Sequence, residues 1–162
     1  MTRYKPSLYF INVVSTMLVL PVIAILIERA NHTAVPIWPL IGEWFVFWAV
    51  GVRLVIAGLR QVTKPSFTAN EIFHISGVES LPIVRELGFS NLCVGTGGIL
   101  SLLKPEWTAI MAIVGGLYFG IAGVQHVIKK PASVNEGIAM VSDLWIFIVL
   151  GLYLFICQPI YS

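Results

Sequence analysis

Apolar and polar positions alternate along the chain in long blocks: five apolar runs, at residues 7–27, 37–59, 86–103, 107–128 and 137–157, are separated by shorter polar stretches. A helix needs about 20 apolar residues to cross the hydrocarbon of a bilayer. The pattern therefore predicts an all-α, polytopic transmembrane bundle of five spans in one membrane domain. The first run ends at Glu28-Arg29 and contains Pro21, which a membrane helix tolerates as a kink. Arg3 and Lys5 precede it as they would a signal peptide, but the run is long and has no small-x-small cleavage site, so a retained span is expected. The second run opens with Trp38-Pro39, closes at Arg60 and carries Glu43 and Arg53 inside, which suits an interfacial tryptophan at one end and a snorkelling arginine at the other. The tight turn Lys104-Pro105-Glu106 makes the third and fourth spans an antiparallel hairpin. The longest connection, 61–85, holds Phe67, Ile72, Phe73, Ile75, Val78 and Leu81, and part of it is expected along the membrane interface.

Composition sharpens this picture. With 57% hydrophobic and 11% charged residues, little chain is left for a water-soluble domain. The basic residues are dispersed and the net charge is only +2, which argues against nucleic-acid binding. Their placement sets an orientation. With the N-terminus in the cytoplasm, Arg3, Lys5, Arg60, Lys64, Arg85, Lys129 and Lys130 are inside, and only Arg29 and Lys104 are outside. That asymmetry predicts a cytoplasmic N-terminus and an extracytoplasmic C-terminus, with Trp38 and Trp107 at the outer interface.

A charge in the hydrocarbon costs roughly 2.5–3.5 kcal/mol on insertion scales, so such groups face the bundle interior and find partners. At about 1.5 Å rise per residue, Arg53 lies about 10 Å inward from Arg60, Asp143 about as far inward from Glu136, and Asn91 about 9 Å inward from Arg85. Three helices thus bring polar groups to one level, with Glu86 and His126 nearer the same ends. Arg53 is expected to pair with Asp143, Glu86 or both, fixing helix register; the alternatives are a site for a polar headgroup, quinone or small metabolite, or a proton path. No metal site is expected, because His126, Glu86 and Asp143 have no diagnostic spacing and an adjacent arginine repels a cation. His32 and His74 read as exposed or interfacial, and Glu43 as hydrated through the outer interface. Gly88, Gly95, Gly97 and Gly98 lie in the third span, and Gly115, Gly116, Gly120 and Gly123 in the fourth. The GxxxG step Gly116–Gly120, with Gly123, is expected to pack this hairpin closely, a homodimer face or a backbone-lined ligand groove being the alternatives. Cys93 and Cys157 form no CxxC pair and are expected at opposite ends of the bundle, beyond the separation of about 7 Å that a disulfide spans. There is no nucleophile elbow, P-loop or dinucleotide fingerprint.

Several short motifs follow one another between Gly51 and Val127: Gly51-Val52-Arg53-Leu54 with Ala57-Gly58, Pro65-Ser66-Phe67-Thr68-Ala69, Arg85-Glu86-Leu87-Gly88-Phe89-Ser90-Asn91-Leu92, Pro105-Glu106-Trp107, and Gly116 to Gly123 before His126. This stretch resembles the DoxX-like small integral membrane proteins, in particular an uncharacterised bacterial branch. The resemblance implies a compact helical bundle in the bacterial cytoplasmic membrane and places Arg53, Glu86, Asn91 and His126 among the motif positions. The broader group includes a subunit associated with thiosulfate:quinone oxidoreduction alongside members of unknown role, and the additional first helix here departs from its usual four-span pattern. No enzymatic assignment is carried over. The expectation is an accessory or ligand- or lipid-binding membrane component, in contact with membrane lipids and with a second copy or another membrane protein as partner. The alternatives are a quinone-linked redox subunit, with Arg53, His126 and Glu86 at the quinone headgroup, and a small-solute transporter, which at 162 residues without an evident repeat requires an oligomer.

Overall fold

The computed structural model describes residues 7–32, 34–75 and 77–157. Long helices dominate and no strand occurs among the described residues. We number them α1 (Leu8–Asn31), α2 (Ile37–Thr63), α3 (Ser80–Leu100), α4 (Thr108–Lys129) and α5 (Val134–Cys157). Four of them, α1, α2, α4 with the turn before it, and α5, are long and apolar enough to cross a membrane, which is the signature of a multi-pass membrane protein. The third differs. It has 21 residues, but Arg85, Glu86, Ser90, Asn91 and its glycines dilute its apolar character. The outward faces suit lipid: Ile121 and Ile128 are each 71% exposed and Phe155 is 84% exposed, an apolar exterior that water would not tolerate on this scale.

Local chemistry explains the helix irregularities. Ser7 caps α1 by accepting the Phe10 N–H at 3.1 Å. Pro21 has no N–H and cannot pair with the carbonyl of Met17 one turn earlier. The indole of Trp145 on α5 donates to that carbonyl instead, at 3.1 Å. Within α1 and α2 the chain also widens into i→i−5 turns, where the Leu20 N–H reaches the Ser15 carbonyl and the Arg53 N–H reaches that of Trp48. At the start of α5, Ser133 accepts the Glu136 N–H at 3.2 Å, and the Glu136 carboxylate reaches back to the Ala132 N–H at 2.7 Å. This is a capping box displaced by one residue.

α2 is the centre of the bundle. Its Leu40, Phe45, Val46, Ala49, Val50 and Leu54 are buried against Val13 and Met17 of α1, Ala112 and Phe119 of α4, and Ile146, Leu150 and Tyr153 of α5. α3 docks on it through glycine. A methyl group built at Gly98 would lie 2.6 Å from the Gly51 nitrogen, one at Gly95 would lie 2.7 Å from that of Val55, and one at Gly58 would lie 2.7 Å from the Gly88 carbonyl. The backbones of α2 and α3 are thus in direct contact. On α4, Gly120 and Gly123 abut Phe147 and Leu144 of α5, whereas Gly116 has its nearest neighbour, Leu150, at 3.6 Å. The expected glycine packing inside the α3–α4 hairpin is therefore corrected. Those glycines turn away from the hairpin, Gly88, Gly95 and Gly98 of α3 and Gly115 of α4 towards α2, and Gly116, Gly120 and Gly123 of α4 towards α5; among them Gly97, against Met111, bridges it.

The connection between α2 and α3 also differs from its expected range of 61–85. Helical geometry continues to Thr63 and resumes at Ser80, because Arg60 and Gln61 find partners within the bundle and Leu81 to Arg85 extend α3. What remains folds as a short helix, Pro65–Phe67, and a wide turn, Thr68–Ile72. Its Pro65, Thr68, Ala69 and Ile72 are buried on the bundle, while Phe73, Ile75 and Val78 stay exposed.

Candidate functional site: a polar cavity at one end of the bundle

Side chains from all five long helices and from the α2–α3 connection surround a cavity of about 360 Å³. The contributing segments are the first turns of α1 and α5, the last half of α2, the first half of α3 and the last half of α4, as an up-and-down bundle requires at one end. Each helix contributes a stripe at helical spacing. On α1 these are Tyr9 and Asn12, on α2 Arg53, Ala57, Arg60 and Gln61, and on α3 Leu87 and Asn91. On α4 they are Tyr118, Ala122 and His126, and on α5 Ala139 and Asp143. The space exists because alanines, at 57, 122 and 139, stand where larger residues would fill it.

A buried hydrogen-bonded chain forms the floor. Asn91 Nδ2 donates to Gln61 Oε1 at 2.7 Å, and the Tyr118 hydroxyl donates to Asn91 Oδ1 at 2.7 Å. Both Asn91 and Gln61 are buried, so each bond removes a desolvation cost that an unpaired amide would carry. The cationic groups are held by rings. The Arg53 guanidinium stands over Tyr9 at 5.6 Å from its centroid, and that of Arg60 over Phe67 at 3.4 Å.

The expected ion pair is not formed. Among the described residues, neither Arg53 nor Arg60 has a carboxylate within 4.0 Å, although Arg53 and Asp143 line the same cavity. Arg53 Nε is buried without a hydrogen-bond partner. Glu86 is excluded from the cluster altogether, since it is exposed on the outside of α3 and does not line the cavity. Depth along a helix placed Glu86 near Arg53, but its angular position turns it away.

The carboxylate that the sequence reading left out of the cluster is Glu136. It is buried, with His126 Nδ1 at 3.3 Å, His74 Nε2 at 3.6 Å and the Ala132 N–H at 2.7 Å. His74 reaches it from the α2–α3 connection through a left-handed backbone turn, φ 55°. Glu136 thus ties that connection to the α4–α5 corner. The Ser133-x-x-Glu136 spacing was the available signal for its position. Gln61 and Tyr118 were signalled by their place eight residues from Arg53 and His126 on the same helical faces. Among the described residues no group of three or more His, Cys, Asp or Glu side chains is arranged to hold a metal ion. Cys93 is exposed and Cys157 half-buried, both as free thiols.

Fold and cavity together define a helical membrane-type bundle with a polar, ligand-sized hollow. The chain belongs to a family of unknown function, DUF6790, whose profile matches residues 11–161. No curated protein and no solved structure matches it.

Proposed function

We propose that this protein is a small membrane component that binds an amphiphile, seating its polar part in the cavity and leaving its apolar part in lipid. The observation that carries this reading is the two-sided lining. The interior presents Arg53, Gln61, Asn91, Tyr118 and Asp143, whereas the lining residues Leu8, Ile56 and Phe73 are themselves exposed and form an apolar rim. A volume of about 360 Å³ is near the low end of ligand sites, roughly 300–1,000 Å³, and suits a headgroup more than a whole lipid. In this reading all five long helices cross the membrane. The dilute apolar character of α3 is accommodated because its glycine face and Asn91 are covered by α2. The N-terminus is cytoplasmic by the distribution of lysine and arginine, which puts the cavity at the cytoplasmic end of a bacterial cytoplasmic-membrane protein. The DoxX-like kinship of residues 51–127 is part of the same proposal, supported by the convergence of Arg53, Asn91 and His126 from that stretch on the cavity.

The test is mass spectrometry of the organic extract of detergent-purified protein, comparing wild type with Ala57→Phe, which fills the cavity without altering a charge. The reading expects an amphiphile enriched with the wild type and depleted with the variant. An extract of the wild type no richer than that of an unrelated membrane protein would refute it. The quinone reading is favoured by one observation, the proximity of His126 and Tyr118 to Arg53 around a single hollow. With Glu86 outside, its headgroup contacts reduce to those residues, and a quinone in the same extract would establish it.

A further inference from the structure

Resting on the amphiphile-binding reading of this cavity, we infer that the headgroup it takes is acidic, a phosphate or carboxylate held between the guanidiniums of Arg53 and Arg60. The two arginines are seven residues apart, two turns along one face of α2 and about 10 Å along its axis. Ala57, midway between them, offers a single methyl group, so an anion has room to sit between the two cations.

The charge balance favours an anion whether or not Asp143 or His126 carries a proton. The Arg, Lys, His, Asp and Glu side chains lining the cavity among the described residues are Arg53, Arg60, Asp143 and His126, with the phenols of Tyr9 and Tyr118 as the other titratable groups there. Two arginines against one carboxylate leave a positive sum when Asp143 is ionised, and a larger one when it is protonated or when His126 carries a proton. Glu136, the other acid near His126, does not line the cavity and is engaged by two imidazoles and a backbone N–H.

The way the arginines are held points the same way. Each guanidinium lies against an aromatic face, Tyr9 for Arg53 and Phe67 for Arg60. A ring face steadies a cation without accepting its in-plane N–H bonds, although the Tyr9 hydroxyl also interacts with Arg53, and a guanidinium has donors only. Arg53 Nε is buried without a hydrogen-bond partner, so the protein leaves this guanidinium's donors incompletely satisfied. Phosphate and carboxylate oxygens match such a fork with two parallel hydrogen bonds, which a neutral headgroup oxygen does not.

The experiment uses the full chain in nanodiscs made from equal parts phosphatidylcholine and phosphatidylglycerol, with retained lipid read by native mass spectrometry. The expected result is retention of phosphatidylglycerol over phosphatidylcholine by about tenfold or more, because both headgroups carry a phosphate but only phosphatidylcholine adds a quaternary cation that two arginines repel. That preference should shrink at high salt in the wild type, should survive in part in Arg60→Lys, and should vanish in Arg53→Gln/Arg60→Gln. The salt and Arg60→Lys arms keep the test decisive if the double variant does not fold. Equal retention of both lipids overturns the acidic class and leaves amphiphile binding standing. Retention of neither overturns both readings. A parallel arm titrates inorganic phosphate alone in neutral detergent: thermal stabilisation by phosphate without retention of phosphatidylglycerol overturns the lipid source and assigns the site to a free anion.

Discussion

Gly98→Ala is the substitution that most sharply separates this packing from the one the GxxxG spacing suggests. Its new methyl carbon would lie 2.6 Å from the Gly51 nitrogen and 2.8 Å from the Gly51 Cα, backbone atoms that no rotamer change can move. Relief requires α2 and α3 to part along a seam that includes Gly58, Gly88 and Gly95, at the expense of dispersion contacts on both sides. Overpacking of this kind costs roughly 1–3 kcal/mol, against which alanine recovers up to about 1 kcal/mol of helix propensity over glycine. A net loss of about 1–2 kcal/mol lowers the folded-to-unfolded ratio roughly five- to thirtyfold. Gly116→Ala, in the GxxxG step, meets Leu150 Cβ at an ordinary 3.6 Å, and Gly151→Ala meets nothing within 4 Å. Both should be neutral or stabilising by up to about 1 kcal/mol. The assay is unfolding of the detergent-solubilised protein in sodium dodecyl sulfate, followed by tryptophan fluorescence. Should Gly116→Ala unfold earlier than Gly98→Ala, the assignment of backbone-to-backbone contact to the α2–α3 seam is wrong.

Other outcomes follow from the same contacts. Asn91→Leu removes both bonds of the Gln61–Asn91–Tyr118 chain and strands a buried glutamine, a loss of about 1–3 kcal/mol in the same unfolding assay, with Tyr118→Phe costing less. Trp145→Phe leaves the Met17 carbonyl without its donor opposite Pro21 and should destabilise by about 1 kcal/mol; no change would mean that this carbonyl finds another partner. Glu136→Gln weakens the link from His74 to the α4–α5 corner, so amide exchange measured by mass spectrometry should quicken across residues 64–75 while the α2–α3 seam keeps its protection. Exchange unchanged in that connection would count against Glu136 as its tether.

The long helices were legible because about 20 consecutive apolar residues have few other uses, and the level shared by Arg53, Asn91 and Asp143 followed from rise alone. Azimuth was not legible. The wide turns at Ser15–Val19 and Val46–Val52 each insert an extra residue into the helical repeat, turning later side chains by about 100° from where a uniform α-helix would put them. The second lies immediately before Arg53, so no periodicity argument could aim that side chain. Glu86 failed for a related reason: depth is additive along a helix, but facing depends on which neighbour covers which side. The glycines carried the same ambiguity, since spacing shows that a helix can be approached closely and not by which partner. Pro21, read as a kink, proved to mark a carbonyl that a distant tryptophan serves, a link invisible without the packing.

A crystal structure grown from a lipidic mesophase doped with phosphatidylglycerol tests the central claim most directly. The account predicts density for an oxyanion between Arg53 and Arg60 beside Ala57, continued by a chain that leaves past Leu8, Ile56 and Phe73. Closure of Asp143 onto Arg53, with the hollow collapsed and no elongated density at its rim, would contradict it.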